Sequence, residues 1–523
     1  MRRVARSFAP YALGLAVIGV VWVLMSQSIP SMPDPLAVGA SIATDGGGFF
    51  LPHVSATLME AGWGFLIGMG AALVVAAIIA LVPAIEASAM RVALVTFCVP
   101  VVAIGPIGIV LIGSSAGGGV SGTAVLLAAL SVFYVSTELL VAGLHSVDRN
   151  ALELAAVYGA PRRFSLVHLR APNAIPNALS ALQIGAPAAL LGAILGEYFG
   201  GAQGLGVVLL VAGSTGQPER VWAAAALATA VSAILYIALG SSRTVIVRWL
   251  YGSAAGSDVA PVGAGVLDTR RRGWRTRTLL SVLASLAIIT VLWQVALVAF
   301  DVPTYVAKGP VDVARWLTES GNLAEVAANL QVTLVDATLA LVAGLGTALA
   351  LAIIFTLRPG AAQAFVPMSM FMRSVPIVAI VPILVLILGR GWGVVVAIGG
   401  LVVLLPALVT LTVALGTANA RLTDVADVFG ASKSTTLRLI RMPNAVPAFL
   451  TALKVSIPAA FTGALLVEWL ATGQGLGSSI VTALGAARNS EVWASVAVLV
   501  VVTVMLHAVA QVVEAVVLRR RLS

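Results

Sequence analysis

Twelve stretches of this 523-residue chain are apolar over about the 20 residues that a helix needs to cross a bilayer's hydrocarbon core. They lie near 11–29, 54–82, 92–112, 121–144, 177–199 and 221–250, and again near 278–300, 328–357, 363–388, 392–416, 448–471 and 491–518. Charged residues make up 10% of the chain and apolar ones 60%. Soluble domains carry about 25% charged residues, so a cytosolic enzyme, a disordered scaffold and a nucleic-acid-binding protein are excluded. The net charge of +9 does not alter this, because a nucleic-acid footprint needs Lys and Arg clustered on a solvated face. A lone cysteine, Cys98, allows no internal disulfide. The chain reads as an all-α polytopic membrane protein.

Orientation follows the Lys and Arg residues. With the N-terminus inside, 23 of the 30 fall in inside segments, 5 fall outside, and Arg373 and Lys454 lie within spans. Both termini are therefore expected in the cytoplasm. The span at 11–29 has the arginine-rich start of a secretory signal. Its counterpart at 278–300 places Trp293 where it has Trp22, so a retained helix is expected.

The chain contains its own second copy. At an offset of 276, Gly68, Gly70, Pro83, Pro100 and Pro106 pair with Gly344, Gly346, Pro359, Pro376 and Pro382. After a five-residue gap the offset is 271. Gly159, Pro172, Pro187, Glu197, Gly204, Gly206 and Trp222 then pair with Gly430, Pro443, Pro458, Glu468, Gly475, Gly477 and Trp493. Shared composition explains matched leucines, not prolines, glycines and an acid in one order. Six spans per copy make the repeats parallel, with their pseudo-two-fold axis along the membrane normal. The expected division is a first domain at 1–250, a flexible cytoplasmic linker at 251–277 and a second domain at 278–523.

Each copy has one long inside loop between spans, 145–176 and 417–447. The first reads Glu153-Leu154-Ala155-Ala156-Val157-Tyr158-Gly159 and, ten residues after Gly159, Leu169-Arg170-Ala171-Pro172. The second reads Asp424-Val425-Ala426-Asp427-Val428-Phe429-Gly430, then Ile440-Arg441-Met442-Pro443. Each predicts a short helix, a glycine turn, a second helix and a proline break. Such an elbow, present once per half, suits a two-fold partner.

This pattern resembles the EAA loop of permease subunits in binding-protein-dependent ABC importers. The resemblance implies a type I importer permease fold in a bacterial cytoplasmic membrane. It also implies a coupling helix seated in each of two separate ABC ATPase subunits, and an extracytoplasmic solute-binding protein that delivers a small molecule. Carried over by position, the motif residues are Glu153, Ala155 and Gly159, and Asp424, Ala426 and Gly430. Leu154 and Val425 replace the usual first alanine, and Asp424 shortens the acid. The runs Pro100–Gly113 and Ser374–Gly389, and the acid-then-Gly-Leu-Gly segments at Glu197 and Glu468, resemble nitrate/sulfonate/taurine-type permeases. That likeness implies a small organic or inorganic anion as solute. Similar permeases carry pyrimidine-type vitamin precursors and riboflavin-like compounds, and an ion-coupled 6+6 secondary transporter is the rival class.

Ionisable groups inside spans are candidates for the path because hydrocarbon penalises them. They are Arg373, Glu138, Glu197, Glu468 and Lys454. Glu197 and Glu468 are expected to brace the glycine turn after them or to line the outer entrance. Lys454 is near enough to a helix end to snorkel. Arg373 lies about 18 Å deep at 1.5 Å per residue, with Glu138 as its suggested partner. Glu60 and Asp336, two turns in, are open to interfacial solvation. Other signals fail: Gly113-Ser114-Ser115-Ala116-Gly117 lacks the strand of a nucleophile elbow, and Gly430–Ser434 lacks the second glycine of a P-loop. His53, His145, His168 and His507 have no metal-ligand spacing. The chain is thus expected to hold no cofactor, metal or catalytic site, with ATP and Mg on the partner ATPases.

Overall fold

The computed structural model describes residues 19–20, 22–24, 26–28, 32–113, 119–251, 274–299, 301–358, 360, 377–416 and 420–522. Arg373, the run Ser114–Gly117 and most of the expected linker lie outside the described residues.

The first half contains α1 (Pro35–Asp45), α2 (Leu51–Leu81), α3 (Glu86–Cys98), α4 (Val101–Ile112), α5 (Gly122–His145), α6 (Arg149–Val157), α7 (Ala171–Gly200), α8 (Leu205–Ser214) and α9 (Pro218–Tyr251). The second contains α10 (Trp274–Ala299), α11 (Pro310–Thr318), α12 (Asn322–Leu357), α13 (Ile377–Leu388), α14 (Trp392–Gly416), α15 (Ala420–Val428), α16 (Met442–Val467), α17 (Gly475–Gly485) and α18 (Asn489–Leu522). Among the described residues there is no strand, as expected where every backbone group must be satisfied within its own segment.

Eight helices among the described residues are long and apolar enough to cross a membrane. The expected span at 92–112 is not one straight helix. It breaks between α3 and α4, which meet at 90°. Pro100 has no amide hydrogen, and it holds the residue before it extended, with Val99 at φ −76°, ψ 115°.

Each half is built on three mutually packed helices, α2, α5 and α7 in the first and α12, α14 and α16 in the second. Small residues let their backbones approach closely. A Cβ on Gly196 would lie 2.3 Å from the Ala124 Cα, and one on Gly344 would lie 2.5 Å from the Val403 Cβ. The first span of each half is tied to the last by tryptophans matched in sequence. Trp22 stacks on Trp222 with centroids 5.0 Å apart, and Trp293 on Trp493 at 5.5 Å.

The halves exchange contacts reciprocally. From the first half, α4 packs on α16, α17 and α18; from the second, α13 packs on α7, α8 and α9. This is the pattern of two copies related by a pseudo-two-fold axis, and it places the carboxyl ends of α7 and α16 against each other.

Candidate functional site

Two features recur in both halves, one at each end of α7 and α16. At the amino end is the elbow. α6 stops at Tyr158, where Gly159 takes φ +70°; α15 stops at Phe429, where Gly430 takes φ +67°. In both turns the amide after the glycine reaches back to the alanine of the motif. Ala160 N–H donates to the Ala155 carbonyl at 2.9 Å, and Ala431 N–H to the Ala426 carbonyl at 2.9 Å. This left-handed closure satisfies carbonyls that the helix end leaves free, and glycine adopts it without Cβ strain. Beyond each turn the chain takes π spacing, over Ser165–Arg170 and Leu437–Arg441, just before Pro172 and Pro443. The wider turn absorbs amide bonds that the prolines cannot make.

The elbow tips are apolar and, among the described residues, exposed. Val157 and Tyr158 are 82% and 83% exposed, and their counterparts Val428 and Phe429 are 84% and 83% exposed. Glu153 and Asp424 are exposed, while Ala155 and Ala426 turn partly inward. An aromatic side chain is thus equally exposed at the equivalent place in both copies. The sequence motif located these elbows but pointed to the acids and the glycine; the apolar pair ahead of each glycine was missed. The signal available was the hydrophobic-then-aromatic Val-Tyr and Val-Phe at equivalent places.

At the other end, about 45 Å away over the 30 residues of α7, a buried carboxyl holds the glycine turn. Gly206 N–H donates to Glu197 Oε2 at 2.5 Å, Leu205 N–H to Thr57 Oγ1 at 2.9 Å, and Gly204 N–H to His53 Nδ1 at 2.9 Å. In the second half Gly477 N–H donates to Glu468 Oε2 at 2.7 Å and Leu476 N–H to Thr333 Oγ1 at 2.9 Å, while the Thr333 hydroxyl donates to Glu468 at 3.1 Å. Glu197 and Glu468 are 2% and 0% exposed. The glycines leave room for this: a Cβ on Gly204 would fall 2.1 Å from the Glu197 carboxyl carbon, and one on Gly475 would fall 2.4 Å from that of Glu468.

Glu60 joins the first of these nodes. It is 1% exposed, accepts from Ser121 N–H at 2.7 Å and lies against Glu197. Asp336, 7% exposed, lies near Glu468. Interfacial solvation therefore does not account for either acid. Glu60 belongs to the first turn's buried polar network, and Asp336 lies beside the second.

Lys454 and Glu138 come from different halves. Lys454 forms an ion pair with Glu514, whose other oxygen accepts from Thr451 at 3.3 Å. Glu138 bonds with Tyr134 and feels the Lys454 charge. The suggested pairing of Glu138 with Arg373 lies outside the described residues. The repeat counterparts of Lys454 and Glu514 are Gln183 and Arg243, so this pair is not inherited from the duplication. Among the described residues no three His, Cys, Asp or Glu side chains gather to hold a metal ion.

A helical membrane protein made of two reciprocally packed copies, each presenting an apolar elbow at one end of its central helices, has the construction of a transport-system membrane subunit. The chain belongs to the family of binding-protein-dependent transport system inner membrane components, whose pattern matches it twice, over residues 82–252 and 343–523. It is thus an ABC transporter permease with two fused permease repeats.

It is 25% identical over 229 residues to a probable ABC transporter permease protein of Haemophilus influenzae, covering 44% of this chain and 93% of that protein. It is 29% identical over 157 residues to the riboflavin transport system permease protein RibX of Chloroflexus aurantiacus, covering 30% of this chain and 59% of the relative. A third relative, 24% identical over 233 residues, is the putative aliphatic sulfonates transport permease protein SsuC of Bacillus subtilis, covering 45% and 83%. No solved structure matches the chain significantly.

Proposed function

We propose that this one chain forms the whole membrane path of an ATP-driven importer, with two ATPase subunits docked on the elbows at 149–170 and 420–441. The observation that carries the reading is the elbow geometry made twice, with the same left-handed glycine, the same alanine-capped turn and an aromatic tip 83% exposed in each copy. The bias of Lys and Arg toward these loops supports a cytoplasmic position for them and for both termini. An extracytoplasmic binding protein then delivers a small solute to the opposite end, and ATP-driven rocking of the halves exposes the path to each side in turn. The chain itself carries no ATP site in this reading. ATP and Mg belong to the ATPase subunits.

The names of the relatives divide among riboflavin, formylaminopyrimidine and aliphatic sulfonates, so they support a small organic solute without choosing its class. The test is isolation of the tagged chain from its own membranes, followed by reconstitution with the ATPase and binding protein that accompany it. The expected result is solute accumulation that requires ATP. Co-isolation with no nucleotide-hydrolysing subunit, or uptake driven by an ion gradient alone, contradicts the reading.

A further inference from the structure

The two buried acids stand at the same place in each repeat, but the residues after them differ: Glu197-Tyr198-Phe199 in one half and Glu468-Trp469-Leu470 in the other. In the structure these unequal residues meet across the pseudo-two-fold axis. Trp469 stacks on Phe199 with centroids 4.5 Å apart and planes 19° from parallel, and Tyr198 meets Trp469 edge-on at 5.7 Å and 74°. Among the described residues these are the ring contacts that join the two halves.

The site is built for the ring. The Phe199 ring packs on α4 at Gly105, where a Cβ would fall 2.1 Å from the ring. The counterpart of Gly105 in the second half is Val381, and the counterpart of Phe199 is Leu470. A glycine is paired with a large flat side chain in one half, and a valine with a smaller branched one in the other. The stack is thus a feature of one interface and no by-product of duplication. Both rings sit on rigid stems, because the acid before each is locked into its glycine turn. Phe199 and Trp469 are nonetheless only half-buried, so part of the ring surface stays accessible at the end of α7 and α16 away from the elbows.

We propose that the Phe199–Trp469 pair is a ring-recognition site at the outer entrance, which a planar aromatic solute occupies by sliding between the two faces and which closes on itself when empty. The inference rests on the reading that the path runs between the halves. Insertion of one ring needs the faces to part by about 3.5 Å, one van der Waals thickness, a displacement within the reach of rocking halves. The exchange replaces one aromatic contact by two. A sulfonate has no ring face to offer, so the site favours the flat heterocycle among the solute classes considered.

The test uses the full-length chain in lipid nanodiscs with riboflavin as the probe, because flavin emission is quenched on stacking against indole. Titration of the unaltered chain is expected to quench the flavin. Trp469→Leu and Phe199→Leu should each weaken binding by about three- to tenfold, Trp469→Phe should recover most of it, and excess taurine should displace none. Absence of quenching by the unaltered chain, Trp469→Leu binding like the unaltered chain, or displacement by taurine would overturn the inference. Capture of the ATPase by each variant is measured in parallel. A variant that captures it is folded, and capture with unchanged flavin binding defeats the ring site while leaving the importer reading intact. Should Trp469→Leu fail to fold, Phe199→Leu asks the same question from the other ring.

Discussion

Phe429 and Tyr158 are the most informative side chains to remove. Both are 83% exposed on the elbow tips, so truncation to alanine should change the stability of the chain by less than about 0.5 kcal/mol. Docked in an ATPase groove, the same ring buries about 150–250 Å², an upper limit of about 4–6 kcal/mol at 25 cal/mol per Å². Ordering and imperfect fit reduce this, and a central interface aromatic typically contributes about 2 kcal/mol. Phe429→Ala should therefore weaken ATPase binding about thirtyfold, at tenfold per 1.4 kcal/mol. In the double variant with Tyr158→Ala both sites should weaken about thirtyfold each, because each elbow is proposed to hold its own subunit. The assay is titration of the purified ATPase against the chain in nanodiscs, with thermal unfolding as the control. A folded double variant that binds the ATPase as tightly as the unaltered chain would refute the docking role of these tips.

Other predictions concern the glycine turns and the buried acids. Gly430→Val meets no neighbour but forces a side chain into φ +67°, a strain of about 1–2 kcal/mol; ATP hydrolysis should persist while ATP-dependent uptake falls, and unchanged uptake would contradict the turn's coupling role. Glu468→Ala strands the Gly477 amide in the interior and should cost about 1–3 kcal/mol, whereas Glu468→Gln keeps an acceptor and should cost under about 1 kcal/mol. Equal melting of the two variants in detergent would exclude the bracing role. Gly196→Ala should destabilise by about 1–3 kcal/mol through overpacking against Ala124, while Gly70→Ala, with nothing within 4 Å, should be neutral or better, as thermal unfolding will report.

Much of this architecture was legible in the chain because lipid leaves few choices. A run of apolar residues must be a helix, a glycine or proline repeated at fixed spacing must serve the same turn twice, and Lys and Arg mark one side. The matched tryptophans at 22, 222, 293 and 493 show how far the repeat pairing reaches, since each half brings its own pair together. The bend at Pro100 was not read, although the proline was, because a proline inside an apolar run is compatible with a straight span when neighbouring helices satisfy the freed carbonyl. The acids were located but their surroundings were not: depth along a helix says nothing of which neighbour's amides point at the carboxyl. The ring stack lies where the two copies differ, and a search for what repeats passes over such positions.

The proposal that two fused repeats carry force from separate ATPases makes a demand on stoichiometry and place. A photo-crosslinking amino acid at position 158, and in a second experiment at 429, should each capture a nucleotide-hydrolysing subunit in intact cells, at a ratio of two such subunits per chain in the solubilised complex. Capture of an extracytoplasmic protein instead, or of no ATPase from either position, would contradict the account.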